Sequence, residues 1–246
     1  MQQPTKWLRF YSRGFRVLQN GKLIKISLFT TRIQNLLATT FSGIFLGTLC
    51  TAGSNTFVLG LLFLGIGIIA LFFYLGMEHS LVFDAAEKEI REIDSLYFQS
   101  NVKKIFDFKE ILALSLNGER YYEKKKSFWQ YNLVVILPCA DKASGINRPE
   151  KAFKQYAIGE TLSILENLQV SYLCWLGKRF QPAAEFGEFL GEKMDLPFVE
   201  PPEAGCELFP GGKDSDGNLT LDFYKDDQVL SSIPLARNPD KKVNDI

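Results

Sequence analysis

The chain has 246 residues, 46% of them hydrophobic, and its 28 basic and 28 acidic side chains give a formal net charge of zero. Those averages hide a segregation: residues 1–32 carry seven bases and no acid, residues 33–77 carry no charge, and the remainder carries 21 bases against 28 acids. The acidic remainder excludes the concentrated basic surface of a nucleic-acid-binding domain, and 45 consecutive uncharged residues exclude an ordinary soluble chain.

The seven bases are Lys6, Arg9, Arg13, Arg16, Lys22, Lys25 and Arg32. A basic flank beside an apolar run is held in the cytoplasm during insertion and attracts anionic headgroups. Arg9, Arg13 and Arg16 are therefore candidate lipid contacts in a basic interfacial segment, residues 1–32. Two local structures fit it. Phe15 to Phe29 holds two apolar runs around Asn20-Gly21, a hairpin signal; alternatively, an interfacial helix lays Trp7, Leu8, Phe10, Tyr11 and Phe15 into the headgroups. Periodicity does not separate the two over such short runs.

Residues 33–77 suit two crossings of a bilayer, because a helix rises ~1.5 Å per residue and the hydrocarbon core is ~30 Å thick. A secretory signal would place its apolar core nearer the terminus and follow it with a cleavage site, so this segment is expected to be retained. The predicted helices run from about Gln34 to Leu49 and from about Phe57 to Met77, around the small, polar turn Cys50-Thr-Ala-Gly-Ser-Asn-Thr56. Gly43 and Gly47 have small-xxx-small spacing, and Gly60 and Gly67 lie seven apart, so these four glycines are the expected helix-packing residues. Packing within the hairpin is the simpler account of them, and contact with another membrane protein the alternative. The run contains no ionisable side chain, which argues against ion or proton transport. Two crossings return the chain to its starting side, so both termini are expected on the cytoplasmic face.

From residue 78 the pattern shifts to short strand-like runs: Leu81–Phe83, Glu89–Ile93, Lys104–Phe108, Ile111–Leu116 and Tyr131–Leu137. Their spacing predicts an antiparallel meander. Residues 117–130 are expected to join the last two strands as a long connection. That connection carries Lys124, Lys125 and Lys126 beside Phe128 and Trp129, a combination suited to lipid headgroups or to a protein partner. The competing reading has Phe128 and Trp129 begin the next strand and pack inward. From Glu160 the apolar residues Leu162, Leu165, Leu168, Tyr172 and Leu176 fall at helical steps, as do Phe186, Phe189, Leu190 and Met194 after a break near Gly177 to Pro182. The fold class expected is a two-helix transmembrane hairpin plus an α+β domain, residues 78–198, with an antiparallel sheet capped by a C-terminal helix.

Val82-Phe-Asp84 leading to Glu89-Ile-Arg-Glu-Ile93, Lys104-Ile-Phe-Asp-Phe-Lys-Glu-Ile111 entering a long strand, and the amphipathic Ala183 to Pro197 carry a resemblance. The layout resembles membrane-anchored proteins with a pleckstrin-homology-like domain, and within them is similar to the photosystem I assembly protein family of cyanobacteria and chloroplasts. The likeness spans roughly residues 34–198. It implies a curved, PH-like sheet and a non-enzymatic assembly or scaffold factor whose partners are subunits or assembly intermediates of a membrane protein complex, in a bacterial inner membrane or, on the stromal side, a thylakoid. Three features depart from that family: the longer basic N-terminus, an insertion around Cys139 to Lys154, and a tail beyond Pro197.

The tail, residues 199–246, has ten acids against five bases and is expected to be largely disordered, apart from a short hairpin of Leu219–Tyr224 with Gln228–Ile233. Asp214-Ser-Asp-Gly-Asn218 superficially suggests calcium, but Leu219 and Lys225 stand where an EF-hand needs glycine and glutamate, so a turn is expected and no metal. Cys50, Cys139, Cys174 and Cys206 show no zinc spacing and read as free thiols, mostly buried, with Cys206 in the tail expected to react only from the cytoplasmic side. His79 is the single histidine, and no phosphate-binding or nucleophile-elbow motif occurs. No enzyme activity, cofactor or small-molecule substrate is expected. The alternative to a scaffold is a module that binds anionic lipid through the basic-aromatic hairpin.

Overall fold

The computed structural model describes residues 6–8, 15–28, 31–52, 56–97, 99–123, 126–139, 157–165 and 168–235. Six strands form the first sheet: β1 (Lys6–Leu8), β2 (Phe15–Asn20), β3 (Leu23–Leu28), β4 (Met77–Asp84), β5 (Glu89–Leu96) and β6 (Gln99–Asp107), in that spatial order and antiparallel throughout. Two apolar helices, α1 (Thr31–Thr51) and α2 (Phe57–Gly76), lie between β3 and β4 in sequence. Since β3 and β4 pair directly, with Ile26 opposite Leu81, the helical hairpin is an excursion from one sheet between two neighbouring strands.

For residues 15–28 that pairing gives the hairpin and joins it to the first sheet, whereas Phe10 and Tyr11 of the alternative interfacial helix lie outside the described residues. Asn20 pairs with Leu23 across a two-residue turn in which Gly21 takes φ +60°, a conformation glycine reaches without a Cβ penalty. As strands, β2 and β3 bury Val17, Ile24 and Ile26 in the core. A helix lying on headgroups would leave their partners Leu81 and Phe83 uncovered.

Both apolar helices are long enough to cross a membrane, Ile33–Thr51 and Phe57–Gly76. A core helix of a soluble protein is covered by its own fold, whereas here Val58 is 79% and Leu75 72% exposed. The first helix tolerates its hydroxyls because they bond back to its own carbonyls: Thr40 to Leu36 at 2.8 Å, Thr48 to Phe45 at 2.8 Å and Thr51 to Thr48 at 3.0 Å.

The second sheet has the order β11-β7-β8-β10-β9, from β7 (Ala113–Glu123), β8 (Lys126–Pro138), β9 (Thr161–Leu165), β10 (Leu168–Gly177) and β11 (Phe198–Val199). Two expectations are corrected here. Residues 117–130 are strand for almost their whole length, with Glu123 paired to Lys126, so the connection shrinks to Lys124-Lys125. Thr161–Leu165 and Leu168–Gly177 are two antiparallel strands and not a helix. Their leucines satisfy three- and four-residue steps, but Val170, Tyr172 and Trp175 favour extended backbone, and β8 offers β10 a full ladder of partners. The helical period after the break is real: α3 (Phe180–Met194) buries Ala183, Phe186, Leu190 and Met194, carries Pro182 in its first turn, and ends at Asp195 with φ +55°.

A third sheet, β12 (Glu207–Lys213), β13 (Leu219–Lys225) and β14 (Gln228–Pro234), occupies most of the tail expected to be disordered. Acidic composition misled because the acids face outward or make turns, while Leu208, Leu221 and Phe223 are buried. The helix α3 is consequently not the last element of the chain.

The packing is layered. One core joins the first sheet (Ile24, Leu81, Phe83, Ile90) to one face of the second (Leu116, Leu133, Val135, Leu173) and to α3. A second core joins the opposite face of that sheet (Val134, Ile136, Leu168, Val170) to Leu208, Leu221 and Phe223 of the third. Being covered on both faces, β8 is apolar in consecutive positions from Leu133 to Leu137 where a half-exposed strand would alternate.

Candidate functional site

The region where α1 and α2 enter the first sheet brings together side chains that the sequence keeps far apart. Met77 begins β4 directly after Gly76 ends α2, so no linker separates helix from strand. On the outer face Lys25 pairs with Glu78 at 2.8 Å, tying the strand before the hairpin to the strand after it. On the inner face the register sets His79 opposite Asp94 and Leu81 opposite Glu92. His79 Nδ1 lies 2.6 Å from Asp94 and Nε2 lies 3.6 Å from Glu92. The two carboxylates flank opposite nitrogens of the ring, which orients the imidazole but does not make a chelating set. Among the described residues no three such side chains form a metal-binding group.

The β5–β6 turn reaches the same place. Tyr97 donates its backbone N–H to the Gly76 carbonyl at 2.7 Å and its phenolic O–H to the Phe72 carbonyl. Its ring lies on that of Phe72, centroids 4.5 Å apart. Sequence reading missed both Tyr97 and the carboxylates of His79. The first had a signal, an uncharged stretch from Ser95 to Val102 holding two aromatics where a turn was due. The second had none, since Asp94 and Glu92 meet His79 only through strand register.

The four glycines lie on the facing sides of the hairpin. A Cβ on Gly43 would stand 2.8 Å from Gly67 Cα, one on Gly47 2.8 Å from Leu64 N, and one on Gly60 2.5 Å from Thr51 N. Only a hydrogen at these positions lets the two backbones approach.

The basic-aromatic hairpin is described only in part. Lys124 and Lys125 lie outside the described residues, as do Arg9 and Arg13, while Lys126 and Arg16 are backbone partners of Glu123 and Ser27 in their sheets. Phe128 stacks on Tyr121 with centroids 6.1 Å apart, and Lys178 Nζ lies 3.7 Å from its ring centre. Trp129 is packed against the main core and against Gly205, where a Cβ would come within 3.0 Å of the indole. Both aromatics thus have partners within the domain.

Elsewhere an open groove runs between α3 and β11, lined by Glu188, Glu192, Asp195, Glu200, Pro197 and Phe198. Its carboxylates have no converging nucleophile or base along that lining. Asp214 makes a turn: its carboxylate accepts from the Asp216 and Asn218 N–H groups at 2.9 and 2.7 Å and from the Asn218 amide at 3.1 Å. These bonds hold its carboxyl below the usual carboxylate range. Comparison with protein-family models, with curated proteins and with solved structures finds no match to this chain.

Proposed function

We propose that this chain is an integral membrane protein that crosses a bilayer twice and uses its β domain as a non-catalytic platform for assembling a membrane protein complex. The observation that carries the reading is the placement of the apolar hairpin between paired strands β3 and β4, with β4 starting where α2 stops. A domain joined to membrane helices through adjacent strands of one sheet cannot swing freely as it would on a linker. A fixed height and orientation over the bilayer suits a protein that holds other membrane subunits in register. The resemblance in sequence layout to membrane-anchored pleckstrin-homology-like proteins, and among them to photosystem I assembly proteins, points to the same kind of role.

On this reading the basic N-terminus, the sheets and both termini share the cytoplasmic or stromal side. Purification of the intact chain from mildly solubilised membranes, followed by mass spectrometry, tests the role. Subunits or maturation intermediates of one membrane complex should accompany it, and recovery of the chain alone would sink the scaffold reading. Sidedness is read separately with an impermeant thiol reagent on sealed, right-side-out vesicles. Cys139, half-exposed at the end of β8, should stay unlabelled until the membrane is opened. Cys206 cannot report the side, because it is 1% exposed.

A further inference from the structure

The β5–β6 turn has an unusual occupant for its conformation. Leu96 pairs with Gln99, so the connection is two residues long, and its first residue, Tyr97, takes φ +53°. Hairpin turns with positive φ in water are filled by Asn, Asp or Gly, and a bulky aromatic there is rare. Tyr97 is nonetheless 41% exposed, so core packing alone does not account for it.

Its position beside α2 supplies the account. The phenol is hydrogen-bonded to the Phe72 carbonyl, four residues before the helix end at Gly76, which is ~6 Å along the axis into the apolar segment. Phe72 is 59% exposed and Leu75 and Phe73 are exposed beside it, so the outer edge of the Tyr97 ring continues the apolar surface of the helix. The sequence agrees: Ser95 to Val102 is free of charge between Asp94 and Lys103, and Val102 is exposed on β6. Nothing charged has to be dragged toward hydrocarbon if this turn enters the interface. A tyrosine with one face apolar and its hydroxyl bonded is the residue type enriched at that depth.

We infer that the β5–β6 turn, with Tyr97 at its tip, is a third membrane contact that dips into the headgroup boundary beside α2 and fixes the tilt of the first sheet on the bilayer. The inference rests on the reading that α1 and α2 cross the membrane. It assigns the lipid-facing edge of the domain to this turn and not to the β7–β8 hairpin.

An apolar, carbene-generating photolabel dissolved in the acyl region of phosphatidylcholine–phosphatidylglycerol vesicles tests it on the full-length, unmodified chain, with labelled peptides read by mass spectrometry. Peptides from α2 and from Ser95–Val102 should both be labelled, while the β4–β5 turn, Ala85–Lys88, at the far end of the same strands, should not. Labelled α2 with Ser95–Val102 no more labelled than Ala85–Lys88 overturns the inference and leaves the transmembrane reading standing. Failure to label α2 overturns both. In a second arm, Tyr97→Asn, which supplies a residue suited to the same turn in water, should reduce labelling of that peptide and leave α2 unchanged.

Discussion

Gly43 and Gly67 meet backbone against backbone, so closely that a Cβ on Gly67 would stand 2.8 Å from the Ile44 nitrogen and one on Gly43 2.8 Å from Gly67 itself. Gly65, two residues away on the same helix, has nothing within 4 Å of its Cβ position. The spacing that marked Gly43 and Gly67 as packing residues left Gly65 out, and their substitutions should differ in sign accordingly. Gly43→Ala and Gly67→Ala should each destabilise the helical hairpin by about 1–3 kcal/mol through overpacking. Gly65→Ala should be neutral or stabilising by roughly 0.5–1 kcal/mol, since it removes only backbone entropy from the unfolded helix. Unfolding titrations in mixed micelles measure all three, and equal responses would contradict the packing face.

Gly76→Ala should loosen the contact between helix and sheet. Its Cβ would lie 2.2 Å from the Tyr97 ring, which must move and release the Tyr97 N–H bond to Gly76. Hydrogen exchange at the Tyr97 amide should accelerate, while exchange across the β4–β5 ladder nearer Phe83 should hold. Unchanged protection at Tyr97 would mean that the ring is not seated on the helix.

Thiol chemistry should follow burial. Burial pushes the Cys174 thiol up to about 12 from an ordinary 9.0, and raises Cys206 as well. Near pH 8 neither should react with an alkylating reagent in the folded protein, whereas Cys139 should. The folded state holds the Cys174 proton more tightly than the unfolded chain does. Its contribution to stability is therefore complete below pH 9.0 and lost as the pH rises from there toward about 12. Alkylation of Cys174 without denaturant near pH 8 would contradict the layered core.

The third sheet should be essential to folding. Phe223 is fully buried against the middle sheet, and Phe223→Ala should cost about 3–5 kcal/mol. Truncation before Glu207 would uncover Val134, Ile136, Leu168 and Val170 and should drive aggregation once detergent is diluted. A truncated chain that stays monodisperse, with the thermal transition of the full chain, would return the tail to the status of an appendage.

Patterns within one element were fully legible in the sequence. The apolar hairpin, the strands from β4 to β6, the amphipathic α3 and the β13–β14 pair all follow from charge segregation, periodicity and turn residues, which depend on neighbours a few positions apart; the turn expected at Gly53 to Asn55 lies outside the described residues. What the sequence left open or misread depended on partners. The N-terminal segment reads equally as hairpin or interfacial helix until β4, on the far side of the helical hairpin, provides a strand for β3. Leu162 to Leu176 fit a helical period by themselves and become strands because β8 supplies the ladder for β10. The acidic tail folds because three of its side chains find an uncovered apolar face, and Trp129 turns inward because Gly205 leaves it room. Local composition determines which backbone states are cheap, but burial and hydrogen bonding with distant strands outweigh those preferences, and they exist only once the chain has come together.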